Sequence, residues 1–447
     1  MAAKHCEDAH SVNDSSEARR RERLLQAIVR VSFEHGYEGT TIARVIAAAG
    51  VSRPTFYTYF ADRADCFLAA LEDVQRRAAA AVALAVERQP PQDAAAATTK
   101  ALVAFAQEQP MPARLLMSEA MAAGGRALDA HDRGVEAIAW VIERRHREVT
   151  AEVAVPALAG EVLVATVYRL LATRLRRGEQ PSADLLAELL EWVEGYGRRA
   201  PEQRWRTLSP VPARAGTPPA RQAPLRPPPP LAPGRPRRSA GDVAENHRLR
   251  IIFATAEVVC EHGYGAATVA EITRAAGVDG RAFYRLFRGK HDAFTAVHEL
   301  VFQNAMAACA GAFFARGEWP RRMWQAARAL AQYVGQNATL TRASIVEGHA
   351  GGAASVERLQ ALLAGFTIFL QEGYQHQPPG ARAPSPLALE AIAEACFEVL
   401  YRQARGNAGL ELAGIAAHCT YISLAPFVGA ARAAALVEEM LENGPER

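Results

Sequence analysis

Glu34-His35-Gly36-Tyr37, then Ala48-Ala49-Gly50-Val51-Ser52, then Phe56-Tyr57-Thr58-Tyr59-Phe60 is the stretch that decides the fold, because most of it is written a second time. Glu261-His262-Gly263-Tyr264, Ala275-Ala276-Gly277-Val278 and Phe283-Tyr284 with Phe287 stand at a constant offset of 227. Residues 21–71 and 248–298 align without a gap, and 20 of the 51 positions are identical. A duplicated module is the direct reading of such self-similarity.

Each copy reads as three short helices. Leu24, Ala27, Ile28 and Val31 form an apolar stripe at helical spacing that ends at Gly36, a suitable left-handed cap; Ile251, Ala254, Val258 and Gly263 repeat it. Thr40 and Thr41 supply an N-cap for a second helix carrying Ile42, Val45 and Ile46, which stops at Gly50. Val51 and the N-cap Ser52 open a third helix with Phe56 and Phe60. In the second copy Thr268, Gly277, Val278 and Asp279 take these roles. Two helices joined by a tight glycine turn form a helix-turn-helix, whose second helix fits the major groove of DNA. Such pairs also occur in plain bundles, so pattern alone leaves both readings open.

Between the copies the composition changes. Residues 201–250 hold 12 of the 26 prolines and ten arginines against Glu202, Asp242 and Glu245. No apolar period survives there, and the stretch reads as a basic, polyproline-like linker able to span up to ~120 Å at about 3.1 Å per residue. The expected organisation is a disordered tail over 1–18, a helix-turn-helix domain over 19–66, a helical domain over 67–200, a Pro/Arg-rich linker over 201–245, a second helix-turn-helix domain over 246–293 and a second helical domain over 294–442. The chain of 447 residues is 50% apolar and 22% charged with a net charge of +3, which excludes wholesale disorder and a histone-like polycation. Its six cysteines show no paired spacing, and the longest apolar run, Ala78 to Val86, is too short to span a membrane. A reduced, cytoplasmic chain without a membrane segment is expected.

These residues resemble the TetR family of bacterial transcriptional regulators. The resemblance rests on Gly36-Tyr37 with Thr40-Thr41, Ala49-Gly50-Val51-Ser52, Phe56-Tyr57-Thr58-Tyr59-Phe60 and Arg63 near Asp65. In copy two it rests on Gly263-Tyr264, Thr268, Ala276-Gly277-Val278-Asp279, Phe283-Tyr284-Arg285-Leu286-Phe287 and Lys290 near Asp292. It implies an all-α fold in which each module binds double-stranded DNA and the helical domain behind it senses a small molecule and dimerises. The family carries one such module per subunit; here a whole second regulator is fused behind the first. By resemblance, the striped segments Glu161–Arg174, Leu185–Tyr196, Leu387–Tyr401 and Leu410–Leu441 form the dimer interface. Half one is then expected to pair with half two as an intramolecular pseudo-dimer, with further pairing of two chains left open.

The first side chains of a groove-reading helix meet base edges. These are Arg53, Pro54 and Thr55 in copy one, and Gly280, Arg281 and Ala282 in copy two, so the two readers differ. Tyr59 and Arg285 lie one turn later. The resemblance assigns phosphate contacts to Tyr57, Tyr284, Arg63 and Lys290, while Thr41, Thr268, Ser52 and Asp279 cap helices beside them. Asp279 also brings a negative charge towards phosphate, which Arg281, Arg285 and Arg288 can offset. Basic arms, Arg19 to Arg21 with Arg23 and Arg235, Arg237, Arg238 with Arg248 and Arg250, precede the modules. His5, Cys6 and His10 fall short of the four ordered ligands of a structural zinc site, so no metal is expected.

Candidate ligand-binding residues are Met117, Met121, Trp140 and Tyr168 in half one, and Trp324, Tyr333, His349, Phe366 and Tyr374 in half two. Few charges fall between Phe302 and Tyr374, which favours a hydrophobic effector. No catalytic motif or cofactor-binding loop is legible, so neither an enzyme nor a cofactor is expected. The reading is a tandem, ligand-responsive repressor. The alternative is a ligand-binding or adaptor protein of the same fold that has lost DNA binding in one or both modules.

Overall fold

The computed structural model describes residues 2–147, 158–196, 224–231, 239–406 and 412–443, with the backbone alone for residues 2–16. Among these residues every regular element is helical. Half one contains α1 (Ala2–Gly39), α2 (Ile42–Ala49), α3 (Arg53–Tyr59), α4 (Arg63–Glu87), α5 (Ala94–Glu108), α6 (Pro110–Arg114), α7 (Ala120–Ala123), α8 (Gly125–Arg147), α9 (Gly160–Arg176) and α10 (Ala183–Glu194). A π-helical turn, Leu115–Glu119, joins α6 to α7. Half two contains α11 (Ala240–Ala266), α12 (Val269–Ala276), α13 (Gly280–Leu286), α14 (Lys290–Phe313), α15 (Trp319–Gln336), α16 (Ala338–Val346), α17 (Ala353–Gly365), α18 (Pro386–Arg405), α19 (Leu412–Val428) and α20 (Ala430–Asn443).

Each half opens with a three-helix unit around buried phenylalanines, Phe56, Phe60 and Phe67 in the first and Phe283, Phe287 and Phe294 in the second. The first helix of each unit breaks at a glycine with positive φ, 68° at Gly36 and 77° at Gly263, which an L side chain rarely adopts. We call these breaks the elbows. α4 and α14 then leave the unit and run into the helical bundle of the same half.

Two boundaries differ from the sequence expectation. α1 runs back to Ala2, through the segment expected as a disordered tail. No glycine or proline precedes Gly36, so a helix nucleated on the Leu24 stripe extends at little cost. α11 begins at Ala240, inside the expected linker, because Ser239 and Asp242 form a capping box there. Of the linker, only residues 224–231 are described before this cap. That stretch lies on half two: the Leu225 amide donates to Asn337 Oδ1 (2.8 Å), and Asn246 Nδ2 donates to the Pro229 carbonyl (3.1 Å). Arg235, Arg237 and Arg238 lie outside the described residues, and the side chains of His5, Cys6 and His10 do too.

The halves meet along α9 and α18, with α10 and α19 beside them. Arg169 on α9 is buried between Glu398, to which it donates a hydrogen bond, and Glu394 at 3.8 Å, and its guanidinium lies 4.7 Å from the Phe397 ring centre. Arg174 pairs with Glu390 at 3.0 Å. In the other direction, Arg405 pairs with Asp132 at 2.9 Å and with Asp129, and the Tyr401 hydroxyl donates to Asp132 (2.9 Å). Tyr196 Oη donates to the Ile422 carbonyl (3.2 Å), and Tyr421 Oη returns a bond to the Tyr196 carbonyl (3.0 Å). Charges this deep are tolerated because each has its partner. Glu38, beside the first elbow, comes close to Gly352 and its charge reaches Lys290 at the second, so both elbows lie on one side of the paired bundles.

Candidate nucleic-acid interface

Local chemistry builds the two reader turns alike. The carbonyl end of α2 closes on Gly50 and that of α12 on Gly277, both in the left-handed region at φ 61° and 58°. Arg23 donates to the carbonyls of Ala49 (3.0 Å) and Gly50 (2.8 Å), and Arg30 to Ala48 (2.8 Å), so the end of α2 is tied down by α1. Arg23 is therefore part of the turn rather than of a free arm. Arg250 lies against Gly277 in the second copy.

Thr41 caps α2 by accepting from the Arg44 amide, and Ser52 caps α3 by accepting from the Thr55 amide (3.3 Å). Thr268 and Glu271 form a capping box on α12, and Asp279 caps α13 through the Ala282 amide (2.9 Å). The same bond holds the Asp279 carboxyl below its ordinary value, so the cap is ionised.

The structure sorts the expected DNA-contacting residues into three sets. Thr41, Ser52, Arg53, Pro54, Tyr57, Thr268, Asp279, Gly280, Arg281, Tyr284 and Arg285 are exposed. Tyr57 and Tyr284 are 49% and 62% exposed, each with its ring nearly perpendicular to that of the phenylalanine before it. Thr55 and Tyr59 are half-buried, and Ala282 is buried, so at these places the helix face has turned towards its own core. Arg63 and Lys290 serve the elbows: Arg63 Nη1 donates to the Thr40 carbonyl (2.8 Å) and Lys290 Nζ to the Tyr264 carbonyl (2.6 Å). Each cation also lies 4.4 Å from the ring centre of its elbow tyrosine, Tyr37 or Tyr264. Burial lowers the Lys290 pKa, against the pull of Glu38.

Sequence reasoning missed two carboxylates behind the elbows. The glycine break leaves the next backbone amide without a helical acceptor. In half one, Glu119 Oε2 accepts from the Tyr37 amide at 2.8 Å; in half two, Glu347 Oε2 accepts from the Tyr264 amide at 3.2 Å. A glutamate in a helical bundle reads as surface, and only the unsatisfied amide after each glycine could have pointed to a partner.

Half two also encloses an apolar cavity of about 110 Å³, walled by Phe302, Met323, Leu363, Phe366 and Phe369 among others. Tyr333 and Thr341 line it, and the hydroxyl of each is buried with no hydrogen-bond partner. Of the expected ligand residues, Tyr333 and Phe366 come together here; Thr341 was not foreseen. Trp324 is buried outside the cavity wall, and Tyr374 is engaged, its hydroxyl donating to the Pro384 carbonyl (2.9 Å). Met117 and Met121 meet His349 instead in a small cavity between the halves, beside Arg169 and Glu394. Tyr168 is buried and Trp140 is 52% exposed under Arg144.

The class of protein this defines is an all-helical chain with two helix-turn-helix units, each on its own bundle. The domain described as "Bacterial regulatory proteins, tetR family" matches residues 24–70 and again residues 251–297. The two helix-turn-helix units thus each match the N-terminal domain of the tetR family, which the chain carries twice. It is 38% identical over 68 residues to the HTH-type transcriptional repressor AcnR of Corynebacterium diphtheriae, covering 15% of this chain and 36% of that protein. To AcnR of Corynebacterium glutamicum it is 42% identical over 59 residues, covering 13% and 31%. The chain thus spans about a third of the length of these curated relatives. Among solved structures, the fatty acid degradation regulator FadR from Bacillus halodurans matches with a TM-score of 0.37 and 17% identity, over 40% of this chain and 94% of its own. A gamma-butyrolactone receptor (ArpA-like protein) matches with a TM-score of 0.34 and 19% identity, over 45% and 100%.

Proposed function

We propose that the chain is a sequence-specific, ligand-responsive transcriptional repressor that works as a covalent pseudo-dimer on a two-half-site DNA operator. The observation that carries this reading is the pair of capped reader helices with exposed first turns, on bundles that meet through α9 and α18 in one chain. Arg53, Pro54 and Tyr57 face outward on one reader; Gly280, Arg281, Tyr284 and Arg285 face outward on the other. An arginine at such a place forms a bidentate contact with guanine, and exposed tyrosines meet phosphate. Because the readers differ, the operator halves they prefer differ. The cavity of half two takes a mainly apolar effector with one hydrogen-bonding oxygen, which Tyr333 and Thr341 meet. Repression is the activity named for the AcnR relatives.

Selection of bound sequences from random duplex DNA with the purified full chain tests the reading. The expected result is two unlike half-sites centred about 10 base pairs apart or a multiple of that. A perfect palindrome means that two chains each use one reader. No enrichment at moderate salt leaves the adaptor or ligand-binding alternative, in which the modules keep their fold without their affinity for DNA.

A further inference from the structure

The two elbow carboxylates stand in the same place and are backed by different structures. Glu119 ends the π-helical turn of half one, is buried, and has its second oxygen paired with Arg114 Nε at 3.2 Å. The Arg114 guanidinium in turn lies 5.2 Å from the Phe33 ring centre on α1. The residue before Glu119 is also held, since Ser118 Oγ accepts from Arg176 Nη1 at 2.9 Å, on the helix that pairs the halves. Glu347 directly follows α16, the helix that presents Thr341 and Ile345 to the cavity of half two. Its bond to the elbow amide is the longer one, 3.2 Å against 2.8 Å.

We infer that Glu347 is the positioning residue through which occupancy of the half-two cavity reaches the second reader, while the first reader stays latched by Glu119. This rests on the ligand-responsive reading above and adds which half responds and through which atom. An occupant that satisfies Thr341 and widens the cavity displaces α16 from α14 and α15. A small displacement at the end of α16 then separates the Glu347 carboxylate from the Tyr264 amide. The second elbow is freed to swing α12 and α13 as a unit. In half one the turn that carries the latch walls only the small cavity between the halves, through Met117, and Arg114 keeps the carboxylate seated. The regulator is thereby asymmetric: ligand changes recognition at one half-site and leaves the other in place.

The test is hydrogen exchange on the full chain, read at the peptides holding the Tyr37 and Tyr264 amides, with and without n-hexanol as an apolar probe bearing one hydroxyl. Hexanol is expected to speed exchange at Tyr264 by about tenfold, the scale of one hydrogen bond to a charged acceptor, and to leave Tyr37 unchanged. Glu347→Ala is expected to exchange fast at Tyr264 without probe and to give no further response, though a thermal shift still reports binding. Glu347→Gln, which keeps an acceptor, is expected to restore the response. If hexanol gives no thermal shift, the effector reading fails for this chemistry. The coupling is then tested by filling the cavity from within, with Ala305→Leu, or Ala326→Val should the larger residue unfold the bundle. Equal responses at both elbows, no response at Tyr264 in the filled variants, or a response that survives Glu347→Ala overturns the inference.

Discussion

In half one the latch carboxylate is clamped by Arg114 and the segment bearing it is tied to the paired helices; in half two the corresponding carboxylate ends a helix whose other face is cavity wall. The reader units themselves hardly differ in build, down to the glycine at each elbow, the left-handed glycine in each turn and the cation over each elbow tyrosine. Turn geometry is set by a few residues within one short stretch, so a duplicated stretch reproduces it. What stands behind a reader depends on side chains gathered from distant helices, and there the two halves have gone separate ways.

The largest expected effect tests whether the halves form one cooperative body. Arg169→Ala removes the buried cation between Glu394 and Glu398, leaving Glu398 its bond to Arg402 alone, and should cost about 3–5 kcal/mol in urea unfolding. A cost under about 1 kcal/mol would show that the α9–α18 contact contributes little and that the halves behave as independent bodies.

Acid separates the halves less than it weakens both. His131 in half one and His298 in half two are buried, and burial lowers both from 6.5 to about 4. A histidine held neutral in the folded chain contributes nothing above pH 6.5. Stability is then lost as pH falls towards 4, because the unfolded chain takes up the proton first. The slope per histidine is about 1.4 kcal/mol per pH unit in this window. Urea midpoints at pH 7, 6 and 5 should fall steadily, and less steeply in His131→Gln and His298→Gln.

The readers are distinguished next. Arg53→Ala and Arg281→Ala should each lose about 1–3 kcal/mol of discrimination, at different half-sites of the selected operator. Binding to a panel of single-base operator variants checks this, and equal shifts at the same positions would break the pseudo-dimer reading. The smallest effect concerns the cavity. Tyr333→Phe and Thr341→Val remove hydroxyls that have no partner, so the unliganded chain should be unchanged or stabilised by up to about 1 kcal/mol in urea. The cost of losing these hydroxyls should fall on n-hexanol binding instead.

The duplicated stretch made both three-helix units legible, since their caps, glycine turns and apolar stripes are local signals. Arg53, Arg281 and Arg285 were singled out from helix position, and Tyr57 and Tyr284 from the family resemblance. The bonds that Arg63 and Lys290 make at the elbows were not foreseen, because the carbonyls they bind become available only when the chain breaks at Gly36 and Gly263. Ala282 escaped for a related reason, since a seven-residue helix turns part of its first turn inward to cover Phe283. Glu119 and Glu347 lie more than 80 residues from the amides they bind, and no short-range period marks them. The start of α11 was hidden by the prolines before it, although Ser239 and Asp242 spell a helix start within that stretch.

The contact between α9 and α18 joins two parts of one polypeptide, so its formation is unimolecular. A regulator assembled from two separate chains has an active population that falls as the square of chain number when copies are scarce. A pair already present in each chain falls only in proportion, as for any intramolecular contact at fixed effective concentration. On the proposed pseudo-dimer reading, every copy carries both readers even at a few molecules per cell, and doubling the gene doubles the number of complete pairs.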